Sequence, residues 1–122
     1  MSRLAEYEPK IDPLRDECPV KAALDVIRGR WKPSILFELV KGKKRFSDLQ
    51  ALLPGVTAQA LSLQLRQLEA EDIIVRKAFA EVPPRVEYEL SEFGLTLSGV
   101  FDQLEAWGAT YQQRRKSKER QD

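Results

Sequence analysis

The sequence contains no histidine and only one cysteine, Cys18, among its 122 residues. Without histidine, neither a Ser-His-Asp triad nor a Cys-His pair can be assembled, and a zinc site lacks its usual ligands. A single thiol cannot form a disulfide within the chain, which agrees with a reducing compartment. Only carboxylate, lysine or lone-thiol chemistry remains, so we predict no enzyme, no cofactor and no metal site.

The sequence also lacks a transmembrane-length apolar run and an excess of either charge. Its first 16 residues are polar and have no apolar core of the signal-peptide kind. We therefore expect a soluble, cytoplasmic protein with no membrane partner. Lysine and arginine together number 20 against 19 aspartates and glutamates, a net charge of +1. Any nucleic-acid surface must arise from local separation of these charges.

The spacing of apolar residues predicts two helices after an N-terminal arm at 1–16, which is polar and contains two prolines. The first predicted helix runs from Pro19 to a stop signal at Gly29. The second begins around Pro33, since proline suits a first helical turn, and it ends at Gly42. A length of 122 residues fits one domain around one core.

Two further helices are predicted in the middle of the chain. Ser47 and Gln50 have the spacing of a capping box, so a short third helix is expected to begin at Ser47 and to end at the Pro54-Gly55 turn. Thr57 is a suitable N-cap for the fourth helix. Three leucines of that helix recur at helical spacing and predict its core-facing side: Leu61, Leu65 and Leu68.

The pattern after Asp72 changes to that of a β-hairpin. Val86, Tyr88 and Leu90 alternate with charged residues, and Pro83-Pro84 stands near the expected tip. Ser91 is a candidate cap for a last long helix. That helix carries more apolar residues than a small core needs, which predicts a homodimer interface at Leu97, Val100, Phe101, Leu104, Trp107 and Tyr111.

The predicted fold class is α+β, mostly α. The order of elements is that of a winged helix-turn-helix with a two-stranded wing and a C-terminal dimerisation helix at 17–112, followed by a charged, flexible tail at 113–122. In such a domain one helix enters the major groove of DNA and the hairpin reaches a neighbouring groove. The order alone is only moderately specific, because many small α+β domains share it.

Four short stretches make the assignment more specific: Cys18-Pro19-Val20, the Trp31 turn, Arg45-Phe46-Ser47-Asp48-Leu49 and Val82-Pro83-Pro84-Arg85-Val86-Glu87-Tyr88. Together they resemble the HxlR family of winged-helix regulators, from Cys18 to about Trp107. The resemblance implies a dimeric transcription factor, often one that controls neighbouring genes in redox or electrophile responses. Family members commonly have glycine where Asp72 stands, and aspartate tolerates the left-handed conformation better than most residues.

The candidate DNA contacts fall into three groups. Gln59, Leu63 and Arg66, flanked by Ser62, lie opposite the leucine face of the fourth helix and are suited to reading bases. A basic turn precedes the third helix, and basic residues also lie in the hairpin, where they can hold phosphates or enter a minor groove. The alternative is a merely solvated polar face. The full set is Lys43, Lys44, Arg45, Ser47, Thr57, Gln59, Ser62, Leu63, Arg66, Arg76 and Arg85.

Cys18 stands at or just before the first helical turn, where unpaired backbone amides can favour a thiolate. The alternative is an inert, partly buried thiol, and the resemblance to oxidant-sensing family members favours a redox sensor. Its oxidised product would be a sulfenic acid, a small-molecule adduct or a disulfide between subunits.

We therefore predict a sequence-specific transcriptional repressor or activator that binds double-stranded DNA, at a pseudo-palindromic operator, as a homodimer. One alternative is a winged-helix protein-interaction module that has lost DNA binding. Another is a lone-thiol redox enzyme that uses Cys18, against which the missing histidine and second cysteine argue.

Overall fold

The computed structural model describes residues 18–121, so the predicted arm at 1–16 lies outside the described residues. Helix α1 (Pro19–Ile27) and helix α2 (Lys32–Lys41) each have proline in the first two positions, as predicted. The remaining elements are β1 (Lys44–Arg45), α3 (Phe46–Leu52), α4 (Ala58–Ala70), β2 (Ile74–Phe79), β3 (Arg85–Leu90), a 3₁₀ turn (Gly94–Leu97) and α5 (Ser98–Gln121).

The start of α3 differs from the prediction. The helix begins at Phe46, and Arg45 rather than Ser47 occupies the N-cap position. The cap is completed by Asp48, whose carboxylate accepts a hydrogen bond from the Arg45 backbone N–H at 3.0 Å. Asp48 rather than Ser47 supplies the side-chain acceptor of this cap. Its short, charged carboxylate lies in the first turn of the helix, where backbone N–H groups have no intrahelical partner.

The cap of α4 agrees with the prediction. The Thr57 hydroxyl accepts a hydrogen bond from the Ala60 backbone N–H at 3.0 Å. At the other end of α4, Asp72 has a φ of +62° and turns the chain towards the sheet. An aspartate therefore adopts the left-handed conformation at this position, as expected.

The predicted two-stranded hairpin is part of a three-stranded antiparallel sheet with the order β1-β3-β2. Strand β1 was not predicted, because we interpreted its two residues as a basic turn. In the register, Arg45 of β1 and Lys77 of β2 both lie opposite Glu87 of the central strand β3. The proline pair lies between β2 and β3, as expected for the hairpin tip.

The core lies between the helices and the inner face of the sheet. The alternation in β3 is confirmed, because Tyr88 and Leu90 are buried and Val86 packs against the core. The leucine face of α4 is fully buried too. The largest fully buried side chains are Ile35, Leu36, Leu49, Leu61, Leu65, Leu68 and Ile74.

The last helix begins later and ends later than predicted. Ser91 lies before the 3₁₀ turn and does not cap α5: its Oγ accepts from the N–H of Gly94, the first residue of that turn, at 2.8 Å and donates to the carbonyl oxygen of Asp72 at 2.6 Å. Helix α5 continues to Gln121, so the residues that we assigned to a tail from 113 are helical as far as 121. Within residues 18–121, no helix combines the length and apolarity that a bilayer crossing requires.

Candidate nucleic-acid interface

Helix α4 presents one polar face to solvent while its leucine face is buried. We call Gln59, Leu63 and Arg66 the reading face; all three side chains are exposed, and Leu63 retains 44% of its accessible surface. Arg66 Nη1 donates a hydrogen bond to Ser62 Oγ at 3.2 Å, one turn earlier on the helix. Arginine, glutamine and an apolar side chain together suit guanine, adenine and the thymine methyl group.

Lys32 ties the reading helix to the start of α2. Its ammonium group donates to Gln64 Oε1 at 2.8 Å and to Gln67 Oε1 at 2.5 Å. These bonds hold the side of α4 next to the reading face at a fixed position. Sequence reasoning missed Lys32, because its partners lie more than thirty residues away and no local pattern indicates the contact.

The basic turn divides into residues with different roles. Lys44 Nζ donates to the backbone carbonyls of Glu38 and Gly42, at 3.2 Å each, so its charge lies at the C-terminal end of α2. This arrangement stabilises the end of a helix, where carbonyl groups lack partners. Lys44 thus has partners within the chain, whereas Arg45 and Ser47 are exposed, and the phosphate contacts of all three stay predictions.

The turn and the wing meet in an open hollow of about 300 Å³. Its lining brings together three residues that were predicted separately from two parts of the chain: Arg45, Ser47 and Arg85. Thr57, at the N-cap of α4, is exposed. The hollow thus lies between the start of α3 and the wing.

Arg85 begins β3, next to the loop at the wing tip, and has several partners within the chain. Its guanidinium lies 4.2 Å from the centre of the Phe79 ring, and its Nη2 is 3.1 Å from a carboxylate oxygen of Glu81. Its Nε is 3.3 Å from Glu87, and only 26% of the side chain is exposed. These intramolecular partners hold Arg85 against the sheet at the tip end of the hairpin, where it lies opposite Phe79.

The other basic residues of the wing differ in their partners. Lys77 lies 2.5 Å from Glu89, and the hydrogen bond to that carboxylate, with its charge, raises the pKa of Lys77. Arg76 is exposed on β2 and makes no ion pair within the described part of the chain. Arg76 is therefore the wing residue best placed to meet a phosphate.

The predicted dimer residues fall into two sets. Leu97 and Phe101 pack into the core of the same chain, and the Phe101 ring centre lies 6.4 Å from that of Phe37. The others remain exposed along one side of α5, with Trp107 exposed to 67% and stacked on Tyr111. We call this exposed set the apolar stripe: Val100, Leu104, Trp107 and Tyr111.

Cys18 occupies the N-cap position of α1 and is exposed. Its carbonyl oxygen accepts a hydrogen bond from the Ala22 N–H at 3.2 Å, which begins the helix. On the same helix, Val20 and Leu24 expose more than half of their surface. Cys18 is thus accessible and lies beside a second exposed apolar surface.

A helical core with one exposed polar helix face and an adjoining β-hairpin defines a winged helix-turn-helix protein. The model of the family described as "HxlR-like helix-turn-helix" matches residues 26–116. The chain therefore belongs to this family, and it is a DNA-binding transcriptional regulator. The family assignment from the four sequence stretches is confirmed.

Named relatives support the same assignment. The chain is 52% identical over 92 residues to the HTH-type transcriptional regulator YtcD of Bacillus subtilis (strain 168). The match covers 75% of this chain and 73% of YtcD. The chain is also similar to the redox regulator HypR in its reduced form, with 42% identity and a TM-score of 0.77. The match covers 82% of this chain and 99% of the HypR chain. For the oxidised form of HypR, the identity is 45% and the TM-score is 0.71, and the match covers 76% of this chain and 96% of the HypR chain.

Proposed function

We propose that this regulator acts in the cytoplasm as a homodimer that binds a pseudo-palindromic operator, with one α4 helix in each of two successive major grooves. The observation that carries the proposal is the reading face, a set of base-reading side chains exposed on a helix whose other side is fixed in the core. Two-fold symmetry of the protein would match two half-sites about one turn of DNA apart.

The apolar stripe supports the homodimer. Four large apolar side chains along one side of α5 remain in contact with water in the single chain, and burying them is favourable by about 25 cal/mol per Å² of apolar surface. A two-fold contact between two copies of α5 buries the stripe of each copy at once. The exposed Val20 and Leu24 of α1 add apolar surface for the same purpose.

We further propose that Cys18 makes DNA binding sensitive to oxidants or electrophiles. The support is the exposed position of Cys18 beside the apolar residues of α1, together with the similarity to HypR, a redox regulator solved in reduced and oxidised forms. Because the chain holds one cysteine, a disulfide would have to join two subunits or add a small thiol.

The proposal can be tested by selecting bound duplexes from a random library with the full-length protein. We expect an enriched sequence with two inverted half-sites, and a binding affinity that falls with rising salt. Fluorescence anisotropy on the enriched duplex and on a scrambled one then gives the specificity. Retention of no duplex at any salt concentration would contradict the proposal and favour a protein-interaction module.

A further inference from the structure

Glu87 lies at the centre of the outer face of the sheet, the face turned away from the core. Directly opposite residues of neighbouring strands share a face, so Glu87 has Arg45 on one side and Lys77 on the other. Arg85, two positions earlier on the same strand, shares this face as well. The Glu87 carboxylate therefore lies among basic residues, of which Arg45 and Arg85 are predicted DNA contacts.

The contacts of Glu87 join the basic turn to the wing. Its Oε1 is 3.6 Å from Lys43 Nζ, and its Oε2 is 3.3 Å from Arg85 Nε. Only 12% of the Glu87 side chain is exposed, against 64% for Lys43. The carboxylate is thus well shielded from water, while the cation at its edge remains open to it.

The contact with Arg85 is close but incomplete. Among the described residues, the buried Arg85 Nε has no hydrogen-bond partner, although Glu87 lies within ion-pair distance. Attraction between the charges therefore holds this pair without a well-aligned hydrogen bond. Because Arg85 Nε is buried, a phosphate oxygen can meet only the exposed part of the guanidinium, where it competes with the charge of Glu87.

We propose that Glu87 competes with the phosphates of DNA for Lys43 and Arg85, and that it thereby sets the overall affinity of this regulator for DNA. A phosphate that binds either cation competes with this carboxylate, so each contact contributes less than a free cation would. The contacts involved carry no base information, because they concern the backbone. Glu87 therefore weakens binding to specific and non-specific DNA by similar factors. The inference rests on DNA binding by this regulator.

The main test measures Glu87→Gln against wild type on a duplex of random sequence and on the enriched operator, from about 50 to 200 mM salt. Glutamine keeps the shape and removes the charge. We expect Glu87→Gln to bind both duplexes about 3-fold to 10-fold more tightly at the low-salt end. The slope of the logarithm of the binding constant against the logarithm of the salt concentration should become steeper by about 1 to 2, which corresponds to one or two additional phosphates neutralised.

Glu89→Gln is the matched control. It removes the same charge two positions along the same strand and face, but Glu89 pairs with Lys77 and not with Lys43 or Arg85. We expect a change of less than about 2-fold, since Lys43 and Arg85 keep their Glu87 partner and are affected only by the long-range change in charge. Equal gains for the two variants would overturn the proposal, because overall charge alone would explain them.

A double-mutant cycle tests the competition directly. Lys43→Gln should weaken binding more in the Glu87→Gln background than in wild type, because Lys43 has lost its competing partner there. Additive effects, or weaker binding by Glu87→Gln, would overturn the proposal.

If Glu87→Gln does not fold, Glu87→Asp serves in its place. It keeps the charge and draws the carboxylate back by one methylene, and it should also bind more tightly than wild type; binding as in wild type would overturn the proposal. A wild-type protein that binds no DNA would overturn both this inference and the operator proposal. If wild type binds its operator and the Glu87 variants bind DNA with the affinity of wild type, the inference alone is overturned.

Discussion

The backbone of Gly94 lies directly against the carbonyl group of Ile73, and a methyl group at Gly94 would overlap that oxygen. The neighbouring Ser91 fixes this approach, since its hydroxyl accepts from the Gly94 N–H and its backbone N–H donates to the Ile73 carbonyl oxygen at 2.9 Å. The junction joins the end of the wing to the helix that carries the apolar stripe. Close contact between two backbones therefore sets where α5 leaves the domain.

We predict that Gly94→Ala lowers the free energy of unfolding by about 1–3 kcal/mol, because the overlapped atom belongs to the backbone and cannot rotate away. Denaturant unfolding at one fixed protein concentration measures the change, since a dimer's stability depends on concentration. Gly99→Ala is the control: apart from the adjoining residues and backbone of its own helix, no atom lies within 4 Å of a methyl group there, and alanine should stabilise α5 by up to about 1 kcal/mol. Equal stability of Gly94→Ala and wild type would contradict the predicted overlap.

We predict that wild type sediments as a dimer and that Leu104→Glu sediments as a monomer, because the substitution places a charge within the apolar stripe. Sedimentation velocity at micromolar concentration decides between the two states. Gln113→Glu adds the same charge to α5 nine residues later, on the opposite side of the helix at about 100° per residue, and it should remain a dimer. A monomeric wild type would refute the model with two half-sites.

We predict that Arg66→Ala relaxes discrimination at one base position, at a cost of about 1–3 kcal/mol on the operator. Arg66 is exposed on the reading face, where its guanidinium can meet a guanine. Anisotropy titrations on the operator and on duplexes changed at single positions measure the effect.

We predict a different result for Arg76→Ala on the wing. Arg76 is in a position to contact a DNA phosphate, so its loss should weaken binding to all sequences alike. The slope of the logarithm of the binding constant against the logarithm of the salt concentration should fall by about 1. Lys44→Ala, by contrast, should act mainly on stability, because its ammonium group holds the end of α2. If Arg66→Ala and Arg76→Ala both gave sequence-independent losses, α4 would lie outside the groove.

We predict that diamide or a quinone changes the operator affinity of wild type, and that Cys18→Ser binds DNA without responding. The thiol is accessible at the N-cap of α1, and its modification would act on that helix rather than on the bases. Anisotropy with and without the oxidant measures the response, while mass spectrometry confirms modification of Cys18. Unchanged affinity of a fully modified wild type would rule out the switch.

Much of the fold could be predicted because each signal lies within a single element. The leucine spacing of α4, the Thr57 cap and the alternation in β3 depend on residues only a few positions apart. The start of α3 was misplaced by one residue, because Ser47 and Asp48 both offer a side-chain acceptor within the first turn. Strand β1 was missed since two residues carry no periodicity of their own.

The candidate site was less predictable than the fold. Gln59, Leu63 and Arg66 are exposed together as the helical spacing indicated, because opposite sides of one helix follow from its own period. Lys44 and Arg85 have the charge that a phosphate contact needs, but nothing in the sequence indicates the partners that both have within the chain.

The sequence by itself determined the helices and the wing, the family and the exclusion of histidine chemistry, because these depend on residue types and local periods. Only the tertiary structure decided which charged side chains have partners within the chain and which remain available for contacts with DNA. The register of three strands places Glu87 between Arg45 and Lys77, and the packing of α5 on α2 buries Phe101 while leaving Leu104 exposed. The reason is physical: apolar and polar periods define the faces of an element, but the neighbour of each face is set by segments distant in the chain.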